Sequence, residues 1–118
     1  MAAHKNICIK FTVDSRNFEA VGFLNDGERK VDAYTMLERT QYENNGAIAD
    51  EDWEFLSERT NQFPEELREY ALVTMREVPD RKGAISFFVC HCSDPWKQGW
   101  SWLLNNYDRF ALVLRRCA

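Results

Sequence analysis

The stretch AISFFVCHCSDPWKQGWSWLLNNYDRFALVLRR, residues 84–116, decides how the rest of this sequence is interpreted. It holds three of the four Trp. Short apolar runs separated by turn residues predict strands at 84–92, 99–104 and 110–116. A helix over 98–107 is the alternative, because the apolar spacing of WSWLLNNY fits either period. We favour strands, since Trp is enriched in strands and the flanking turns are short.

The N-terminal part adds the cleanest strand pattern. Residues 6–13 alternate apolar and polar side chains, which is the period of a strand with one buried face. Residues 18–24 predict its hairpin partner. Residues 70–78, followed by a turn at 79–83, predict a strand that pairs with the segment beginning at Ala84.

Two helices are expected between these strands. Residues 28–43 carry an apolar stripe at helical spacing through Val31, Tyr34 and Leu37, with Ala33, Met36 and Thr40 beside them. The following Asn44-Asn45-Gly46 gives a stop signal. Asp50 is a suitable N-cap for a helix reaching about residue 62. Its apolar face contains Trp53, Leu56, Thr60 and Phe63, and Pro64 allows a further helical turn.

This order of elements predicts the fold class. Strands and helices are segregated along the chain, which is typical of α+β proteins. We expect an antiparallel sheet of about five to six strands packed against an antiparallel pair of helices. A length of 118 residues suits one globular domain, residues 1–118.

The charge is unevenly distributed. Residues 38–69 hold ten acidic and three basic residues, whereas the whole chain has a net charge of −4. Glu51, Glu54 and Glu58 share one helical face, which is either a solvated surface or an acidic surface that docks on a basic partner. The acidic balance argues against nucleic acid as a partner.

The sequence also bears on location. We find no secretory leader and no apolar run near the ~20 residues that a membrane-spanning helix needs. We therefore expect a cytoplasmic protein whose four cysteines are reduced.

Three segments carry a resemblance. LNDGERKVDAYTMLERT, DEDWEFLSERTNQFPEELREYALV and WSWLLNNYDRFALVLRR together resemble small bacterial and phage α+β proteins that have a helical pair, a Pro-led strand and a Trp-Leu segment ending in arginines. That group has no established activity, so the resemblance assigns no role to any residue here.

The Cys90-His91-Cys92 segment is the only candidate for metal or thiol chemistry. On a strand, Cys90 and Cys92 would share one face and His91 would point to the other, so the three could not bind one ion. Buried thiols are the alternative. A catalytic pair needs His within hydrogen-bond reach of the sulfur, which neighbouring strand positions do not allow. We therefore expect no cofactor and lean against an enzyme. The alternative function is a small enzyme or metal-binding protein that uses Cys90-His91-Cys92, which for a metal would need this segment to bend and His4 or Cys117 to contribute a ligand.

The aromatic end of the chain is the stronger candidate for binding. Trp, Tyr and Arg are frequent at binding hot spots. The alternative is that these side chains form a core layer under the helices. The function expected is a non-enzymatic domain that binds a protein partner or itself, with candidate residues Trp96, Trp100, Trp102, Tyr107, Arg109 and Arg116.

Overall fold

A computed structural model of the protein describes residues 3–40, 48–90 and 95–117. The fold is α+β, as predicted, and more of its described residues lie in strands than in helices. The helices are α1 (Ala33–Thr40) and α2 (Asp50–Ser57), and short 3-10 turns occur at His4–Asn6, Thr60–Gln62 and Glu65–Glu69. The strands are β1 (Cys8–Val13), β2 (Arg16–Val21), β3 (Lys30–Asp32), β4 (Ala71–Glu77), β5 (Ala84–Val89), β6 (Lys97–Trp102), β7 (Asn106–Asp108) and β8 (Ala111–Arg116).

Six strands form the main sheet in the order β1-β2-β8-β4-β5-β6. All neighbours are antiparallel except β4 and β8, which run parallel with Leu72 opposite Leu112. The prediction of a purely antiparallel sheet was therefore wrong at its centre. Strands β3 and β7 form a separate two-stranded sheet with Val31 opposite Tyr107, and neither was expected as a strand.

Both faces of the main sheet are covered. The face that we call the α2 face packs against Trp53 and Leu56 of α2, and the opposite face, the α1 face, packs against Ala33 and Met36 of α1. The predicted antiparallel pair of helices is therefore wrong, because the sheet lies between α1 and α2. The α2 face includes Phe11, Phe18, Ala20, Leu72, Phe88, Leu112 and Leu114, and the α1 face includes Val21, Val73, Ile85 and Val113.

Helix α1 is shorter than the predicted 28–43. Asp32 caps its start, because its Oδ1 accepts a hydrogen bond from the backbone N–H of Thr35 at 2.7 Å. Val31 belongs to β3 and Tyr34 is 59% exposed, whereas Met36 is fully buried. The buried face of α1 is therefore the part of the predicted stripe that holds Ala33, Met36 and Thr40, and the prediction was wrong for Tyr34. The Leu37 side chain lies outside the described part of the structure. The Asn44-Asn45-Gly46 stop lies outside the described residues.

Helix α2 also begins differently from the prediction. Its N-cap is Ala49, and the Asp52 carboxylate accepts a hydrogen bond from the Ala49 backbone N–H at 3.2 Å. The helix ends at Ser57 rather than near residue 62. Its outer surface carries exposed Glu51, Glu54 and Glu58, as predicted.

Candidate protein-binding edge

Strand β6 is an outer strand of the main sheet. It pairs with β5 on one side, and no described strand lies on its other side. The backbone N–H of Leu103 donates to the Gly83 carbonyl on the β5 side at 2.8 Å. The Trp102 carbonyl accepts from the Asn105 N–H at 3.0 Å in the following turn. Since backbone groups alternate sides along an antiparallel strand, the groups that point away from β5 are the N–H of Trp102 and both backbone groups of Gln98 and Trp100. They form an edge available to another strand.

The same three residues turn their side chains to the α2 face. Trp100 lies opposite Ser86 and Trp102 opposite Ala84. The two indole rings contact each other edge to face, with centroids 4.9 Å apart, and they are 38% and 43% exposed. The guanidinium of Arg81 lies 4.4 Å from the centre of the Trp100 ring, within the range of a cation–π contact.

A polar group separates this aromatic pair from the core. Trp53 stacks on Phe88 with ring centroids 4.2 Å apart, which fills the α2 face next to β6. Beyond it, Arg76 donates to Ser86 Oγ at 3.0 Å and to the Asp50 carboxylate at 2.7 Å. The alternative that Trp100 and Trp102 form a core layer under the helices therefore does not hold for these two side chains.

Three cations border the edge. Lys97 begins β6, and Arg81 and Lys82 lie in the turn before β5. All three are exposed, and none has a carboxylate partner within the described part of the chain. Two exposed acidic residues, Glu77 and Asp80, lie in the same hairpin. Within the described residues, these three cations and two carboxylates leave one net positive charge, on a protein whose net charge is −4.

The opposite outer strand, β1, has a different character. The Ile7 carbonyl accepts from the Gly22 N–H on the β2 side, so the backbone groups of Cys8, Lys10 and Thr12 point outward by the same alternation. Their exposed side chains include a lysine at the middle of the strand. A central lysine is a common guard against strand pairing, and β6 has none.

Gly99 is required where β6 crosses Phe87. A Cβ added at Gly99 would lie 1.9 Å from the Phe87 ring. The glycine thus lets an aromatic side chain of β5 lie flat across β6 on the α1 face. This role was not predicted from the sequence, although a glycine inside a strand, here directly before Trp100, often marks a close approach of another group.

The remaining predicted binding residues are dispersed. Trp96 is half-buried with its ring 5.2 Å from that of Phe63, and Tyr107 is buried on the α1 face. Arg109 lies over the Phe110 ring at 5.0 Å. Arg116 points to the α2 face and contacts Asp52 at 3.5 Å. Of the six candidates, only Trp100 and Trp102 are brought into direct ring contact.

The cysteines do not form a reactive site in the described residues. Cys8 Sγ donates to the Glu19 carboxylate at 3.3 Å. Partial burial and that carboxylate raise the pKa of the Cys8 thiol, and the same two causes raise the pKa of Cys117. A raised pKa leaves less of the nucleophilic thiolate. Cys90 is buried, with its sulfur 3.6 Å from the Arg68 carbonyl oxygen, whereas His91 and Cys92 lie outside the described residues.

His4 has a structural role. Its Nδ1 lies 3.1 Å from the backbone nitrogens of both Phe23 and Leu24, and its Nε2 lies 3.1 Å from the Ala111 carbonyl oxygen. These partners require an Nδ1 that accepts and an Nε2 that donates, which is a neutral imidazole. Burial lowers the pKa of His4 and favours that form.

Comparison with protein families, characterised proteins and solved structures found no match. The described residues contain no group of three or more His, Cys, Asp or Glu side chains placed to hold a metal ion. None of the helices in residues 3–40, 48–90 and 95–117 is long and apolar enough to cross a membrane. The function of the candidate site is therefore inferred from the residues and contacts of the site itself.

Proposed function

We propose that this protein is a non-enzymatic binding domain that accepts an extended segment of a partner protein along β6. The observation that carries the proposal is that outward-pointing backbone groups and exposed tryptophans occur together on one strand. Both backbone groups of Gln98 and Trp100 and the N–H of Trp102 point away from β5, and the two tryptophan side chains are exposed beside them. In strand addition, backbone hydrogen bonds supply affinity and adjacent side chains supply specificity.

The aromatic pair suits such a role. Trp is enriched among residues that dominate binding energy, and its rigid ring loses little conformational entropy on binding. The contact between Trp100 and Trp102, together with the Arg81 guanidinium over Trp100, restricts the rings before a partner arrives. Other exposed apolar side chains, such as Leu104 and Phe110, are scattered singly, which is normal for a protein surface.

The test is a selection of displayed random peptides on the intact protein, followed by binding measurements on variants. Trp100→Lys removes an exposed ring, and Gln98→Pro removes an outward N–H without touching the bonds to β5. Lys10→Pro is the matched control, because it removes an outward N–H from β1. Circular dichroism and the urea midpoint verify that each variant is folded.

We expect selected peptides to bind the wild type and Lys10→Pro, and to lose at least tenfold in affinity for Trp100→Lys and Gln98→Pro. On binding, the amide signals of Gln98, Trp100 and Trp102 should shift in NMR spectra. Peptides that bind all four proteins equally, or a selection that enriches no peptide, would show that β6 is not a docking strand.

A further inference from the structure

We infer that the segment accepted by β6 is acidic at its ends and apolar at its centre, and that it belongs to another protein rather than to a second copy of this chain. This inference rests on the proposed function and concerns the occupant of the same edge. It follows from the order of chemical groups along β6.

The order is cation, aromatic pair, cations. Lys97 lies at one end of the strand. Trp100 and Trp102 follow, and the turn with Arg81 and Lys82 lies beyond Trp102, since Ala84 is opposite Trp102 and Leu103 bonds to Gly83. An added strand would therefore meet Lys97 at one end and the turn that holds Lys82 at the other. Between them lie the indole rings and the Arg81 guanidinium, which is 4.4 Å from the centre of the Trp100 ring.

The three cations are available for such contacts. Two other surface arginines have carboxylate partners: Arg59 is 2.8 Å from Asp14 and Arg39 is 2.6 Å from Glu28. Exposed Arg29 and Arg109 form no such pair within the described residues. Lys97, Arg81 and Lys82 make no such pair in the described part of the chain. Among the described residues, the carboxylates of Glu77 and Asp80 in the same hairpin reduce the local charge without neutralising it; Asp94, three residues before Lys97, lies outside them.

The same charges disfavour a second copy. Two β6 strands paired antiparallel about Trp100 would place Lys97 of each copy opposite Leu103 of the other. Each lysine would then approach the end of the strand where the other copy carries Arg81 and Lys82. Like charges brought together oppose association and act against the wrong partner. An acidic segment turns the same three cations into attractive contacts.

The experiment uses three synthetic peptides with one central Thr-Val-Thr-Val-Thr strand and two Glu, two Gln or two Lys at each end. Exposed ion pairs are individually weak, and only three cations can form them. We therefore expect the Glu peptide to bind roughly threefold to fivefold more tightly than the Gln peptide, and the Lys peptide to bind most weakly. Raising the salt concentration to 1 M should remove most of the difference.

The variant R81Q/K82Q/K97Q provides the second measurement. It keeps both tryptophans and should bind the Glu and Gln peptides equally. If the three peptides bind the wild type equally, and Trp100→Lys still abolishes binding, the acidic occupant is wrong and the docking strand stands. If no peptide binds at millimolar concentration, the docking strand is wrong too. Sedimentation that reveals a dimer disrupted by Trp100→Lys would identify a second copy as the occupant.

Discussion

Lowering the pH from 7.5 to 5.5 should destabilise the fold through His4. Its Nδ1 accepts hydrogen bonds from the Phe23 and Leu24 amides, and a protonated Nδ1 would point a proton at those donors. Burial lowers the pKa of His4 below 6.5, although the Ala111 and Arg109 carbonyls and the Asp108 carboxylate act in the opposite direction.

The direction in which stability changes with pH follows from proton linkage. The folded state holds His4 neutral, so below about pH 6.5 the unfolded chain binds more protons than the folded chain. The stabilisation is complete above that pH and is lost as the pH falls towards the pKa of the folded state. One proton changes the free energy of unfolding by at most about 1.4 kcal/mol per pH unit. Because His4 is only half-buried, solvent screening makes the actual change smaller than this maximum. We expect the free energy of unfolding to fall by roughly 0.5–1 kcal/mol in total between pH 7.5 and 5.5.

Replacing the side chain should cost more than protonating it. His4→Ala removes the hydrogen bonds to Phe23, Leu24 and Ala111 at every pH. At roughly 1 kcal/mol for each bond, we expect a loss of about 2–3 kcal/mol at pH 7.5. The variant should also lose most of the pH dependence between 7.5 and 5.5, since its titrating group is gone.

The assay is urea unfolding followed by tryptophan fluorescence at pH 7.5, 6.5 and 5.5. His91→Gln is the control, because it removes the other histidine of the chain. The carboxyls of Asp14, Glu28 and Asp32 have lowered pKa values. Their protonation therefore destabilises the protein only below pH 5.5, outside the pH range of this assay. A pH dependence that persists in His4→Ala but disappears in His91→Gln would refute the assignment.

Three further substitutions test the packing. Gly22→Ala should lower the free energy of unfolding by about 2 kcal/mol or more, because the new Cβ would lie 1.7 Å from the His4 carbonyl oxygen; urea unfolding measures the loss, and an unchanged midpoint would contradict it. Arg115→Met should lower the free energy of unfolding by about 3–5 kcal/mol, because it removes the guanidinium that lies 2.6 Å from the buried Glu19 carboxylate. Adding Glu19→Gln to the same chain should restore part of that free energy. Trp53→Ala should cost about 3–5 kcal/mol and flatten the near-ultraviolet circular dichroism; a native spectrum would contradict the stacking on the core.

Local sequence patterns located most of the long strands. The alternation of residues 6–13 predicted β1, because a strand with one buried face leaves a period of two in the sequence. The β1–β2 turn follows local chemistry too, since Asp14 and Ser15 adopt φ values of 44° and 73°, as a two-residue hairpin loop requires. The choice of strand over helix for the WSWLLNNY segment is confirmed by β6.

The pairing of strands that are distant in the chain could not be predicted from local sequence patterns. The parallel pairing of β4 with β8 depends on segments about forty residues apart, and nothing in either segment specifies the partner. β7 occupies residues 106–108, predicted as a connection, because a three-residue strand leaves too short a pattern. The candidate site shares this limit: the sequence indicated Trp100 and Trp102, but only the strand order places them at an open edge.

The position of β8 has a consequence for how the protein is made. β8 lies between β2 and β4, so it alone joins the N-terminal hairpin to the β4–β5–β6 meander in the main sheet. A ribosome synthesises β8 after both of those units, and the sheet cannot close until residues 111–116 leave the exit tunnel. Until then the hairpin and the meander each expose an apolar strand edge, which is when chaperone binding or aggregation competes with folding.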